Sequence, residues 1–364
     1  MAQRSIIPFG PQHPVLPEPI HLDLVVEDER VIEAIPQIGF VHRGLEKLVE
    51  KRDYHQFVYV AERTCGICSV GHGWGYVSAT EKLLGIEVPR RVEYLRTILE
   101  ELSRVHSHLL WLGLLADAFG FEALFNHCWR LRETILDIFQ KTCGGRIILS
   151  IMMVGGMLHD IDDADLKEIC VKLDSLKRDY REIVDTMLND STVKSRLCGV
   201  GFISFEDAIE LSMVGPFAKA SGVEHDMRTT GYGAYGDLEH FEPIISTEGD
   251  CYGRCKVRCE EVVQAIDIVK ELVAKIPHDG IGQKPGPKVL PPEGGQAHAL
   301  IEQPRGEAFY YVRGNGTKYL DRFRLRTPTS QNLGGLVRSL QGVELADVPM
   351  IILTIDPCIS CTER

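Results

Sequence analysis

Arg63-Thr64-Cys65-Gly66-Ile67-Cys68-Ser69-Val70-Gly71-His72 and Asp356-Pro357-Cys358-Ile359-Ser360-Cys361-Thr362-Glu363-Arg364 set two Cys-x-x-Cys pairs near opposite ends of a 364-residue chain. Four thiolates drawn together from that distance would form one metal site that fastens the end of the fold to its beginning. Tetrahedral sulfur suits zinc or an iron-sulfur cluster on softness and spacing alone, which puts a structural zinc first. Zinc knuckles, however, place their pairs roughly 12 to 20 residues apart. Here 290 positions separate Cys68 from Cys358, so a local zinc staple is not expected. A thioredoxin-like pair would need its Cys-x-x-Cys at a helix start in a compact βαβ unit, a context neither pair has.

Composition narrows the rest. With 44% hydrophobic residues the chain can bury a large core, as one elaborate domain or two closely packed ones. Forty Lys plus Arg against 52 Asp plus Glu leave a net charge of −12, which argues against a nucleic-acid surface. The most apolar stretch, Ile147 to Leu158, is well short of the roughly 20 residues that a spanning helix needs. The N-terminus lacks a basic-then-apolar signal pattern, so a soluble chain not exported by the general route is expected. Eleven cysteines, an odd and unevenly spread number, fit a reducing cytoplasm better than a disulfide framework.

Periodicity places the elements. His21 to Ile38 alternates apolar and polar around Glu27-Asp28-Glu29, as a hairpin would. Leu95, Ile98, Leu99, Leu102, Val105 and Leu109 recur at helical spacing within Arg90 to Ala118, and a second helical stretch runs through Cys143. Between Asp160 and Asp190 the residues Leu166, Ile169, Leu173, Leu176, Tyr180, Ile183 and Met187 form one face of a long surface helix. Ser204-Phe205-Glu206-Asp207 has the form of a capping box, and Asp250 to Lys275 supplies another long helix. Glu307 to Val312 and Lys318 to Arg326 flank Gly314-Asn315-Gly316 as a hairpin, and the apolar run Met350 to Ile355 is expected to deliver the last cysteines from a strand. The fold class read here is a helix-dominated α+β fold: one domain over 1–364, with an N-terminal β region to about residue 40, a central long-helix bundle to about 280 and a β/loop region over about 285–364.

The two cysteine segments together resemble the R-x-C-G-x-C-x-x-x-H and D-P-C-x-x-C signatures of nickel-iron hydrogenase large subunits, in the right order and at the right ends. The resemblance implies that Cys65, Cys68, Cys358 and Cys361 bind nickel, and that Cys68 and Cys361 also bridge to an iron carrying carbon monoxide and two cyanide ligands. It makes Cys358, a terminal nickel ligand, the proton acceptor, since coordination tunes a thiolate to take and release a proton. Arg305, in Glu302-Gln303-Pro304-Arg305-Gly306, resembles the family's P-R-G element, where Pro304 and a guanidinium lie over the metals. Without the cysteines Arg305 would read as a surface turn residue. As arginine stays charged, its implied role is substrate polarisation and hydrogen bonding to cyanide rather than proton abstraction.

Glu18 falls where the family carries a proton-relay glutamate, although locally it is a polar loop residue. His72 resembles the histidine that hydrogen-bonds the bridging sulfur; a core histidine bonded to backbone is the alternative. Pro328-Thr329-Ser330-Gln331-Asn332 resembles the segment that holds a cyanide, with Thr329 the donor. His106-Ser107-His108 matches a family H-D-H with serine in place of aspartate, leaving Asp356 the clearest carboxylate near Arg305. His42-Arg43-Gly44-Leu45-Glu46 matches R-G-x-E, whose glutamate binds magnesium in many members together with a C-terminal histidine. Arg364 stands there instead and cannot ligate a cation, which puts the magnesium in question and leaves Glu46 to pair with a basic residue.

Cys251, Cys255 and Cys259 would line one helix face. They lack a fourth ligand and the tight loop spacing of a cluster. Buried packing is expected, with a partner subunit one surface that could supply it, and no iron-sulfur cluster in this chain. Cys128, Cys143, Cys170 and Cys198 read as small buried hydrophobes.

Gly10-Pro11-Gln12-His13-Pro14, His42 to Leu48 and Glu81-Lys82-Leu83-Leu84-Gly85-Ile86 also resemble the quinone-site subunit of respiratory complex I, a nickel-free relative without the cysteines or a counterpart of Glu18. The four cysteines favour hydrogenase. The alternative is a nickel-free quinone-site or scaffold subunit with a structural zinc. The double resemblance implies the energy-converting, membrane-bound group, and the compact length suits its ferredoxin-linked type over the formate-hydrogenlyase type. Implied partners are a small subunit with an iron-sulfur cluster, further iron-sulfur and ion-pumping membrane subunits, ferredoxin, and nickel-insertion and maturation proteins. The implied location is the cytoplasmic face of the cell membrane. Family precursors are often trimmed after the third residue beyond the last cysteine, where Arg364 sits, as in a mature form.

Overall fold

The computed structural model describes residues 4–14, 16 and 18–364. Strands Arg4–Phe9, His21–Glu27 and Arg30–Gln37 form an antiparallel sheet in that order. The alternation read in the sequence buries Leu22, Leu24 and Val26 on one face, and Asp28 and Glu29 turn the hairpin at φ 49° and 64°. The expected hairpin is present, and Arg4–Phe9 adds an outer strand that periodicity does not announce.

Helices dominate the body, as the class requires. Arg90–Ala118 is buried almost all round and packs against Glu122–Cys143 and Cys251–Lys275. Asp163–Asn189 buries the whole predicted stripe from Leu166 to Met187 against those two neighbours, and Asp162 caps it by accepting from Asp165 N. Ser204 likewise caps Phe205–Glu210 by accepting from Asp207 N.

A second antiparallel sheet comprises Gln296–Gln303, Gly306–Gly314 and Leu320–Arg326. Its last two strands are the predicted hairpin. The first is an addition, and its register pairs Gln303 with Gly306, so Pro304-Arg305 becomes a two-residue hairpin tip. Among the described residues no helix is long and apolar enough to cross a membrane.

Two expectations need correction. Met350 to Ile355 is not a strand but lies in the helix Val348–Ile355. Pro349 occupies its first turn, and Asp356 closes it in the left-handed region at φ 58°, donating its N–H to Ile352 O and Leu353 O. An apolar run buried on every side carries no period, so its type is undecided until neighbours pack on it. Cys251, Cys255 and Cys259 are buried as expected, here by this chain's own helices, and Cys251 Sγ accepts from Thr354 Oγ1 at 3.3 Å. Cys128 and Cys143 are buried as expected, whereas Cys198 is exposed in the loop after Ser191–Leu197 and Cys170 is half-buried, off the apolar stripe of its helix.

Candidate metal centre

Each cysteine pair sits at the start of a helix. Cys68 precedes Ser69–Leu84 and Cys358 precedes Ile359–Glu363, so backbone N–H groups point toward the sulfurs. Ile67 N and Cys68 N lie 3.3 and 3.4 Å from Cys65 Sγ. Between the pairs, Cys358 Sγ is 3.3 Å from Cys65 Sγ and Cys68 Sγ is 3.6 Å from Cys361 Sγ. Among the described residues these four form the one set of three or more His, Cys, Asp or Glu side chains whose ligand atoms lie within 4.8 Å of one another, and all four are buried.

The thiols pull one another's proton affinities apart. Hydrogen bonds, the largest from Cys358, hold the Cys65 thiol well below its ordinary range, while burial pushes Cys361 well above it. Four thiolates cannot stand together there without positive charge. A sulfur-only donor set suits nickel, iron or zinc and not a hard oxygen-seeking ion.

Positive charge is placed beside them. Arg305 Nη2 donates to Asp356 Oδ1 at 2.8 Å, its Nε to the Asp356 carbonyl at 2.7 Å, and Nη1 reaches Ser107 Oγ at 3.4 Å. Burial works against the guanidinium's charge, but Asp356 and then the cysteine sulfurs hold it protonated well above its ordinary value. Ser107 therefore faces Arg305 at the position of the aspartate that the motif lacks, and Asp356 supplies the carboxylate. Arg104 sets the turn from behind, donating to Glu302 O at 2.7 Å and Gln303 O at 3.2 Å.

His72 Nε2 lies 3.3 Å from Cys361 Sγ and 3.6 Å from Cys68 Sγ. Gln303 Nε2 donates to Tyr310 Oη at 2.8 Å, which turns the tyrosine proton toward His72 Nδ1 at 3.0 Å. That order assigns the Nε2–H tautomer, aimed at the two sulfurs. Burial lowers His72 to about 4, so the ring is neutral near pH 7. Thr329 Oγ1 accepts from Cys358 N at 2.9 Å, leaving its own hydroxyl proton free to donate. Pro328 opens the helix Pro328–Ser339 that carries Thr329, and a Thr327–Ser330 capping box fixes its start.

Glu18 lies against the second cysteine loop. It accepts from Ile359 N, from Ser360 N at 3.1 Å and from Ser360 Oγ. Glu46 is remote from the sulfurs in role: Oε1 accepts from Arg364 Nε at 3.1 Å and Leu325 N at 3.0 Å, and Oε2 from Arg324 Nη1 at 3.0 Å. Magnesium takes about six oxygen ligands. With both Glu46 oxygens engaged by cations and an amide, these residues do not fit it.

Tyr310, Gln303 and Arg104 carry no motif that assigns them a role from sequence. Their signal was a helix, Ser69–Leu84, with glycines at its packed face: a Cβ on Gly75 would stand 2.2 Å from the Tyr310 ring, and one on Gly71 3.0 Å from Gln303 Cγ.

Small antiparallel sheets flanking a long-helix body, with four sulfurs drawn from both ends of the chain, are the arrangement that the hydrogenase resemblance implies. The family described as "Respiratory-chain NADH dehydrogenase, 49 Kd subunit" matches residues 118–294 and 284–364, and "Nickel-dependent hydrogenase" matches 43–117. The membrane-bound hydrogenase subunit alpha of Pyrococcus furiosus is 37% identical, over 98% of this chain and 87% of its own. An NADH-quinone oxidoreductase subunit of Desulforamulus reducens is 36% identical, over 97% of this chain and 96% of its own. A chain of the archaeal membrane-bound sulfane sulfur reductase, a respiratory membrane complex, superposes with a TM-score of 0.93 at 29% identity, covering 99% of this chain and 98% of that one. The chain belongs to the family shared by membrane-bound nickel-iron hydrogenase large subunits and the complex I 49 kDa subunit.

Proposed function

We propose that this chain is the catalytic subunit of a ferredoxin-linked, membrane-associated nickel-iron hydrogenase. Nickel would be held by Cys65, Cys68, Cys358 and Cys361, and an iron with one carbon monoxide and two cyanides by Cys68 and Cys361. The observation that carries this reading is the convergence of four buried sulfurs from opposite ends of the chain beside a paired guanidinium.

When bound, such a bimetallic group supplies the reversible splitting of H2 into two protons and two electrons. The chain's residues manage charge around it. Cys358 takes the proton, and Glu18, held on the amides of the next two residues, passes it outward. Arg305, fixed by Asp356, would polarise substrate and donate to a cyanide, Thr329 would donate to another, and the His72 N–H would steady the Cys361 and Cys68 sulfurs that hold the group. Electrons would leave through an iron-sulfur cluster of a small partner subunit toward ferredoxin, with ion-pumping membrane subunits anchoring the assembly at the cytoplasmic face.

The 36% identity to a quinone oxidoreductase subunit supports a second reading, a nickel-free quinone-site or scaffold subunit in which the cysteines hold zinc. Infrared spectroscopy of the complex purified from its native host decides between them. One carbonyl band and two cyanide bands are expected; a blank spectrum from fully metallated protein overturns the hydrogenase reading.

A further inference from the structure

Residues 41–46 contact both cysteine loops. Val41 N donates to Glu363 Oε2, and His42 Nδ1 to the Glu363 carbonyl, each at 2.5 Å. Arg43 spans the two halves of the centre. Its Nη1 donates to Arg63 O at 2.8 Å, and its Nη2 to Thr64 O at 2.8 Å and to Ser360 O at 3.0 Å. One guanidinium thus joins the residue before Cys65 to the residue before Cys361. Three residues further on, Glu46 accepts from Arg364 and Arg324, and Arg364 Nη1 returns to Thr362 O at 3.0 Å.

A divalent ion at Glu46 would need oxygen ligands converging on one point. Among the described residues no set of three His, Cys, Asp or Glu side chains gathers there. A fixed cation is present instead. Arginine's planar fork suits a carboxylate and, unlike a bound ion, is not lost to a chelator.

We propose that residues 41–46 are a latch closing the second cysteine loop onto the first, with the Arg364 guanidinium, captured by Glu46, replacing a divalent cation. Arg43 and Glu46 are then positioning residues that act through the backbone of both loops. The inference rests on the four cysteines forming one site and holds for whichever metal they take.

Hydrogen–deuterium exchange of the intact, metallated complex tests it, with metal analysis before and after EDTA. Stoichiometric magnesium should be absent, and EDTA should leave exchange over 358–364 unchanged. Glu46→Gln should speed exchange there about tenfold, as local opening becomes easier, with Glu46→Asp falling between it and wild type. Arg43→Gln should loosen 63–68 as well as 358–364, which Glu46→Gln should not. Unchanged exchange in both variants, or magnesium whose removal by EDTA loosens 358–364, would overturn the latch. A blank infrared spectrum accompanied by the expected exchange pattern would sink the hydrogenase reading and leave the latch standing.

Discussion

Arg305 binds Asp356 twice, through its carboxylate and through its own carbonyl, at 2.8 and 2.7 Å. This pair ties the tip of a hairpin to the residue that ends one helix and leads through Pro357 into the last two cysteines. Asp356 also faces Arg258 Nη1 at 3.4 Å, so two buried guanidiniums depend on one carboxylate.

Asp356→Asn should therefore cost more than one hydrogen bond. Breaking a buried pair from one side costs about 3 to 5 kcal/mol because the remaining charge is stranded. Urea unfolding of the complex should show a lower midpoint, and turnover should fall about 100-fold as Arg305 loses its setting. Wild-type values for both would separate Asp356 from the function of Arg305.

Tyr310→Phe keeps the ring against Gly75 and removes both the proton that orients His72 and the oxygen that accepts from Gln303 Nε2. Loss of such an outer partner typically costs 10–100-fold in activity or metal affinity, so a drop of about tenfold is expected, with a stability cost of about 1 to 3 kcal/mol from the buried Gln303 amide left unpaired. Metal content and H2 exchange measured on the same preparation check this. Full activity would mean that His72 is oriented without Tyr310.

Glu62 is 2% exposed, and burial pushes its carboxyl up to about 7 from 4.5. The folded chain keeps a proton that the unfolded chain releases. The contribution is thus intact below about pH 4.5 and is lost as pH rises through about 7. Glu62→Gln should melt close to wild type at about pH 5 and above it at about pH 8. A difference in Tm that stays constant across that range would show that the carboxyl is ionised throughout.

Glu18→Gln should retain the metals, since one oxygen still accepts from the Ile359 and Ser360 amides, while exchange of H2 with solvent protons slows. Mass spectrometric isotope exchange reads this directly. Normal exchange would remove Glu18 from the proton route.

Motif residues were legible through the resemblance to a known family. Cysteine at four positions, arginine in Pro304-Arg305-Gly306 and aspartate before Pro357 are each read from identity and order, and the structure brings them together. The long helices were legible because their buried stripes repeat at helical spacing. The helix Val348–Ile355 was not, because complete burial erases the period, and neither was Gln296–Gln303, whose pairing is made with residues later in the chain. The helix Ser69–Leu84 was not read either, and only the structure shows Tyr310 and Gln303 packed on its glycines.

By itself the sequence determined the helix-rich class and, through its resemblance to a known family, which side chains stand where a metal would be held and that Arg364 stands where that family has a histidine. Only the tertiary structure decided how they are held: Tyr310 orienting His72, Arg104 bracing the Arg305 turn, and Arg43 joining loops almost 300 residues apart in the chain. The physical reason is that hydrogen bonds to backbone carbonyls and across distant strands depend on geometry, and carry no residue pattern that a linear reading could detect.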